Sequence, residues 1–142
     1  MSLFEFLRAI RSEQYWYLAS AYSKRPNGYD EARVATAALV RAGVSVYSPI
    51  VASHPLCVDD DSSVHRVQEF GLDRLDGKFW LDACFPFLIN AHGVILLQTE
   101  GWSESHGVRV ELNWARARSR QIIPVMPAFL GLSLPDGERY DD

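Results

Sequence analysis

The residues best placed to do chemistry lie in Gly101-Trp-Ser-Glu-Ser-His-Gly-Val-Arg-Val-Glu-Leu-Asn-Trp-Ala115. Ser105 and Gly107 stand where a strand-loop-helix unit opens its helix. The free amides and positive dipole of such an end hold a phosphate or another anion. Ser105 either adds a hydroxyl donor to that site or simply caps the helix, as serine commonly does. Glu111 follows one turn later, among the apolar helix neighbours Val108, Val110, Leu112 and Ala115. A carboxylate near such a packed face, its side chain directed back towards the N-terminus, reaches the ligand edge of a sheet. The alternative is a solvated glutamate paired with Arg109 or Arg118.

Other reactive residue types carry plainer expectations. His54, His65 and His106 show no paired metal spacing, so neither a metal site nor another cofactor is expected. His106 nevertheless falls inside the anion loop. Trp80, Trp102 and Trp114 read as core or interface residues, with Trp102 also a candidate ligand contact because of its loop position. The Asp59–Asp61 run reads as a solvated turn. Cys84 has no histidine partner in view and reads as a core thiol.

The elements that must position these groups alternate in type. Leu3, Phe6, Leu7 and Ile10 recur at helical spacing within an N-terminal helix spanning about residues 1–13. Tyr15 to Ala19 reads as a buried strand, and Pro26, Asn27 and Gly28 mark the loop after it. A helix is predicted from Tyr29 to Ala42, stopped by Gly43. Val44 to Tyr47 is a second strand that Pro49 closes. Val51 to Asp76 is irregular, either an ordered active-site loop or a mobile lid. Gly77 to Ala91 is helical, with Pro86 kinking the helix or starting a new segment. Gly93 to Leu97, a helix from Gly107 to Arg118 and the strand Ile122 to Val125 follow, before an acidic tail over 128–142. Strand-helix alternation predicts one Rossmann-like or flavodoxin-like α/β domain. Its parallel sheet should have four or five strands, with helices on both faces. Ligands then sit beyond the strand C-terminal ends, at Ser20–Arg25, Pro49–Leu56 and Thr99–Gly107.

Bulk properties fit that class. The 142 residues suffice for one core, with 48% apolar and 23% charged residues. A net charge of −4 argues against a duplex nucleic-acid partner, which normally meets a basic face. No apolar run approaches the roughly 20 residues that span a bilayer, and the N-terminus does not read as a signal peptide. Two cysteines make no disulfide framework, and a reducing cytoplasm is the expected location.

Three segments in order carry a resemblance: Tyr15-Trp-Tyr-Leu-Ala-Ser-Ala-Tyr22, Gly43-Val-Ser-Val-Tyr-Ser-Pro49, and Gly101-Trp-Ser-Glu-Ser-x-Gly-x-x-x-Glu-Leu-x-x-Ala115. Together they resemble the nucleoside 2-deoxyribosyltransferase superfamily, over roughly Tyr15 to Val125. The resemblance implies that Glu111 is the nucleophile and that Tyr17 hydrogen-bonds its carboxylate. Ser105 stands six residues before Glu111, the position of the phosphate-holding serine in the nucleoside 5′-monophosphate N-glycosidases of that superfamily. Their first loop also meets the phosphate, and here it offers Ser20, Ser23, Lys24 and Arg25; His106 and Gly107 complete the candidate set. The family's usual Asp pair is absent. His92 and Gly93 stand just before Val94, and Cys84 and Phe85, eight residues earlier, are read as unable to act as the acid. Asp82, two or three residues away, is the nearest carboxylate and the candidate proton donor.

The implied activity is cleavage or transfer of the N-glycosidic bond of a nucleoside or its 5′-monophosphate. A nucleotide-binding or sensing module without turnover is the second reading. An NAD-cleaving or cytokinin-activating enzyme is the third, disfavoured by the lack of a Gly-Gly-x-Gly-Thr motif. The expected partners are a small nucleoside or nucleotide and a second copy of the chain, since pockets in this superfamily are commonly completed by a neighbouring subunit.

Overall fold

A computed structural model describes residues 2–11 and 13–132. The expected acidic tail beyond residue 132 lies outside the described residues. The chain runs α1 (Leu3–Arg8), β1 (Trp16–Ala19), α2 (Gly28–Arg41), β2 (Val46–Tyr47), α3 (Pro49–Ser53), α4 (Gly77–Ile89), β3 (Gly93–Leu97), α5 (His106–Ala117) and β4 (Gln121–Val125). The strands form one parallel sheet in the order β2-β1-β3-β4. It is an α/β fold of the Rossmann or flavodoxin kind. The chain leaves β1 for β2 on one side, then crosses back over β1 to β3. The crevice between the C-terminal ends of β1 and β3 is therefore the topological switch point where such sheets take ligands.

Side-chain alternation along the strands divides the core in two. Trp16 and Leu18 of β1 join Ile95 and Leu97 of β3, Ala35 and Leu39 of α2, and Leu7 of α1 on one face. Tyr17 and Ala19 join Val94 and Leu96 on the other, under Leu88 of α4 and Val108, Leu112 and Ala115 of α5. Helices thus cover both faces, and the period of two sends Tyr17 towards α5. Pairing of Tyr17 with Val94 and Tyr47 fixes its height in the sheet.

Local signals explain the element ends. Ser2 and Glu5 form a reciprocal capping box on α1. Gly43, at φ +87°, ends α2 in the left-handed conformation that glycine adopts without a Cβ clash. The second strand is shorter than the apolar run predicts, and Pro49 does not merely close it. Ser48 accepts from the Val51 amide at 3.1 Å and Pro49 takes the first helical turn, so the pair opens α3. The stretch expected to be irregular thus begins with a helix and continues through two short 3-10 turns, His54–Leu56 and Val67–Phe70. Nor is the Asp59–Asp61 run merely solvated. Asp59 is nearly enclosed, accepts from the Val67 amide at 2.8 Å and lies 3.7 Å from the Arg66 guanidinium, which anchors the segment.

Candidate active site

Tyr17 and Glu111, 94 residues apart in the chain, meet across the β1–α5 interface. The Tyr17 hydroxyl donates to Glu111 Oε2 at 2.5 Å, with both residues buried. Burial pushes the Glu111 carboxyl up from its ordinary value to about 7, and the Tyr17 hydrogen bond offsets only part of that rise. Burial first, and the neighbouring carboxylate second, push the Tyr17 phenol far above its usual range, so it stays a donor. The solvated-glutamate alternative, paired with Arg109 or Arg118, does not occur. Glu111 lines the wall of a cleft of about 180 Å³ that opens at the switch point.

The rim of that cleft is built from the loops after β1, β2 and β3. Ser20, immediately after β1, is buried, and its Oγ has no hydrogen-bond partner. Ser105 does cap α5, accepting from the Val108 amide at 3.3 Å, yet it also lines the cleft together with His106 and Gly107. A Cβ on Gly107 would meet nothing within 4 Å, so its backbone is open to a ligand. Ser23 borders both the cleft and an adjoining depression of about 300 Å³, where Lys24, Arg25 and Arg109 lie. Glu100 and Glu104 line the same hollow, so its cations stand among carboxylates near the α5 N-terminus.

Four side chains sit elsewhere than their sequence context indicates. Arg25 is not a free cation: it makes a two-pronged contact with buried Glu31, at 2.9 and 2.6 Å, and donates to the Glu100 carbonyl at 2.8 Å. It braces the first loop to the loop after β3. Trp102 packs half-buried against the α5 side of the core and does not line the cleft. Asp82 is exposed and accepts from Lys78 Nζ at 2.8 Å. Helix α4 continues through Pro86 without resetting its register, and two residues turn a helix by about 200°. That rotation sends Asp82 outward and puts Cys84 on the cleft wall instead. Cys84, read as a core thiol, is buried but lines the site, with its Sγ 3.9 Å from the Tyr47 hydroxyl.

Two further residues line the cleft, Arg74 with no signal in the sequence and Trp80 against its expected place. Arg74 sits over the Tyr22 ring, its guanidinium carbon 5.5 Å from the centroid, and enters no ion pair among the described residues. Trp80, expected in the core or an interface, lines the cleft and donates its indole N–H to the Asp73 carbonyl at 2.8 Å. Both depend on the path of the irregular segment before α4, which residue spacing cannot specify. The Tyr22 hydroxyl also meets His54 Nδ1 at 2.6 Å, and Tyr29 stacks on His54, tying the first loop to the end of α3.

Among the described residues no group of three or more histidine, cysteine or acidic side chains could hold a metal ion. No described helix is long and apolar enough to cross a membrane. No curated protein matches the chain. A family model for a domain of unknown function, DUF1937, matches residues 14–126, a span that holds Tyr17, Ser20, Cys84, Ser105 and Glu111. By that match the chain belongs to the DUF1937 family.

Proposed function

We propose that this protein cleaves or transfers the N-glycosidic bond of a nucleoside or its 5′-monophosphate, with Glu111 as nucleophile. The observation that carries this reading is the buried Tyr17–Glu111 pair on the wall of a cleft at the switch point. An Oε of ionised Glu111 attacks the anomeric carbon, the C1′–N bond breaks, and its electron pair leaves with the base. Tyr17 holds the other oxygen and fixes the carboxylate plane. Water acting on the glycosyl-enzyme gives a hydrolase, and a second base gives a transferase. The N-terminus of α5, with Ser105, Gly107 and Lys24 nearby, is the end suited to a 5′-phosphate. Incubating the protein with a panel of nucleosides and 5′-monophosphates, and following free base by chromatography, tests the proposal. Base release abolished by Glu111→Gln is the expected result, and release that survives the substitution overturns it.

A second reading is a nucleotide-binding module without turnover. It is favoured by the position of Asp82, because Glu111 is the sole carboxylate lining the cleft among the described residues. Ligand binding by calorimetry with no base release from any panel member would establish it.

A further inference from the structure

Resting on the glycosidic reading above, we propose that Cys84 is the group that protonates the departing base. The thiol lies on the α4 face turned to the cleft that Glu111 also lines, and the Tyr47 hydroxyl is 3.9 Å from Sγ. The buried, unpartnered Ser20 Oγ independently marks this cleft as built to receive a polar ligand group. The rival acids are poorly placed. Asp82 faces solvent on Lys78. His106 lines the cleft from the first turn of α5, beside Ser105 and Gly107 at the end suited to a phosphate, rather than from the α4 wall. Burial holds the thiol above its ordinary range, the Tyr47 hydrogen bond opposes part of that rise, and the charge of Glu111 adds a smaller rise. Near neutral pH the group is therefore S–H, the form an acid requires.

The step balances without any further reagent. Glu111 forms the bond to C1′ as the C1′–N pair passes to the base, and the Cys84 proton moves to a base nitrogen. The resulting thiolate accepts a hydrogen bond from the Tyr47 hydroxyl. Water then attacks C1′, the Glu111 ester opens to the carboxylate, and the water proton returns to sulfur. Nothing is oxidised or reduced.

A base that needs no proton separates this role from a structural one. A 7-methylpurinium base leaves as a neutral molecule, whereas an ordinary purine leaves as an anion unless it is protonated. Cys84→Ala and Cys84→Ser should lower release of an ordinary purine from its nucleotide by about 100-fold or more. Release from the 7-methylated counterpart should stay nearly unchanged, which also reports that each variant is folded. In the wild type, an alkaline decline in rate should appear with the ordinary purine and vanish with the methylated one. Equal losses on both substrates would make the thiol structural, and no loss on either would make it a bystander; either result overturns the proposal. Loss of both activities in Glu111→Gln separates failure at the nucleophile from failure at the acid. A wild type that releases neither base overturns the glycosidic reading, and this inference with it.

Discussion

Glu111 is held in a place that disfavours its charge, and that has consequences for both stability and rate. Its carboxyl titrates near 4.5 when unfolded and about 7 when folded. Across that window the folded chain keeps a proton that the unfolded chain has lost, so stability falls as pH rises from 4.5 to 7 and levels off above. At ~1.4 kcal/mol per pH unit the loss is about 3 kcal/mol. Glu111→Gln removes the titration while keeping an acceptor for Tyr17. Urea unfolding should therefore show the variant more stable than the wild type at pH 8, by up to about 3 kcal/mol, with the difference closing near pH 4. The same residue should do the opposite to activity. Its nucleophilic form is the carboxylate, so kcat/KM should rise with pH through about 7, and Glu111→Gln should lose several orders of magnitude in turnover. A variant neither stabilised at pH 8 nor inactive would show that the carboxyl is less buried and less used than its position demands.

At the scale of elements, the loops are fixed by a few enclosed polar contacts. Arg25 neutralises Glu31, a carboxylate 1% exposed in the first turn of α2, and bonds the Glu100 carbonyl of a second loop. Arg25→Ala would leave that charge buried without its cation, at a cost of about 3–5 kcal/mol measurable by urea unfolding. A loss below about 1 kcal/mol would mean water reaches Glu31 freely. The sheet has its own tight point: a Cβ on Gly93 would lie 2.7 Å from the Trp16 ring and 2.8 Å from the Gln121 carbonyl oxygen. Gly93→Ala should therefore destabilise by about 1–3 kcal/mol. The β3 strand was legible to the residue because five apolar residues between His92 and Gln98 allow no other length. The contact between Tyr17 and Glu111 was expected from the resemblance, because helical position alone left Glu111 open between a cleft carboxylate and a solvated one. What could not be read were positions set by context. Pro49 serves equally as a strand end or a first helical turn, and the rotation of α4 decides which of Asp82 and Cys84 faces the cleft. Arg25 looks like a free phosphate ligand until Glu31 is folded beside it.

At the scale of the whole molecule, the sheet order makes one crevice, and helix α4 borders it with one face while showing another to solvent. On the cleft side stand Trp80, Leu81 and Cys84. On the outer side Phe79, Ala83 and Phe87 recur at i, i+4 and i+8, all exposed, with the two phenylalanines 46% and 44% accessible. Phe87 stacks on Tyr47 with ring centroids 4.3 Å apart, and Tyr15 donates its hydroxyl to the Phe87 carbonyl, so the apolar stripe continues to the β2 edge of the sheet. A continuous apolar stripe on a small domain marks an interaction surface, and we propose for it the second copy of the chain that the resemblance implies. We expect a homodimer joined through this stripe, which light scattering at micromolar concentration should register as twice the chain mass. Phe87→Glu should convert it to a monomer with unchanged circular dichroism, because the substituted side chain is already half in solvent. Since the same helix carries Cys84 to the cleft, dilution below the dissociation constant should lower base release per chain along with the mass. A wild type that scatters as a monomer would remove the dimer, and a Phe87→Glu protein that remains dimeric would move the interface off α4.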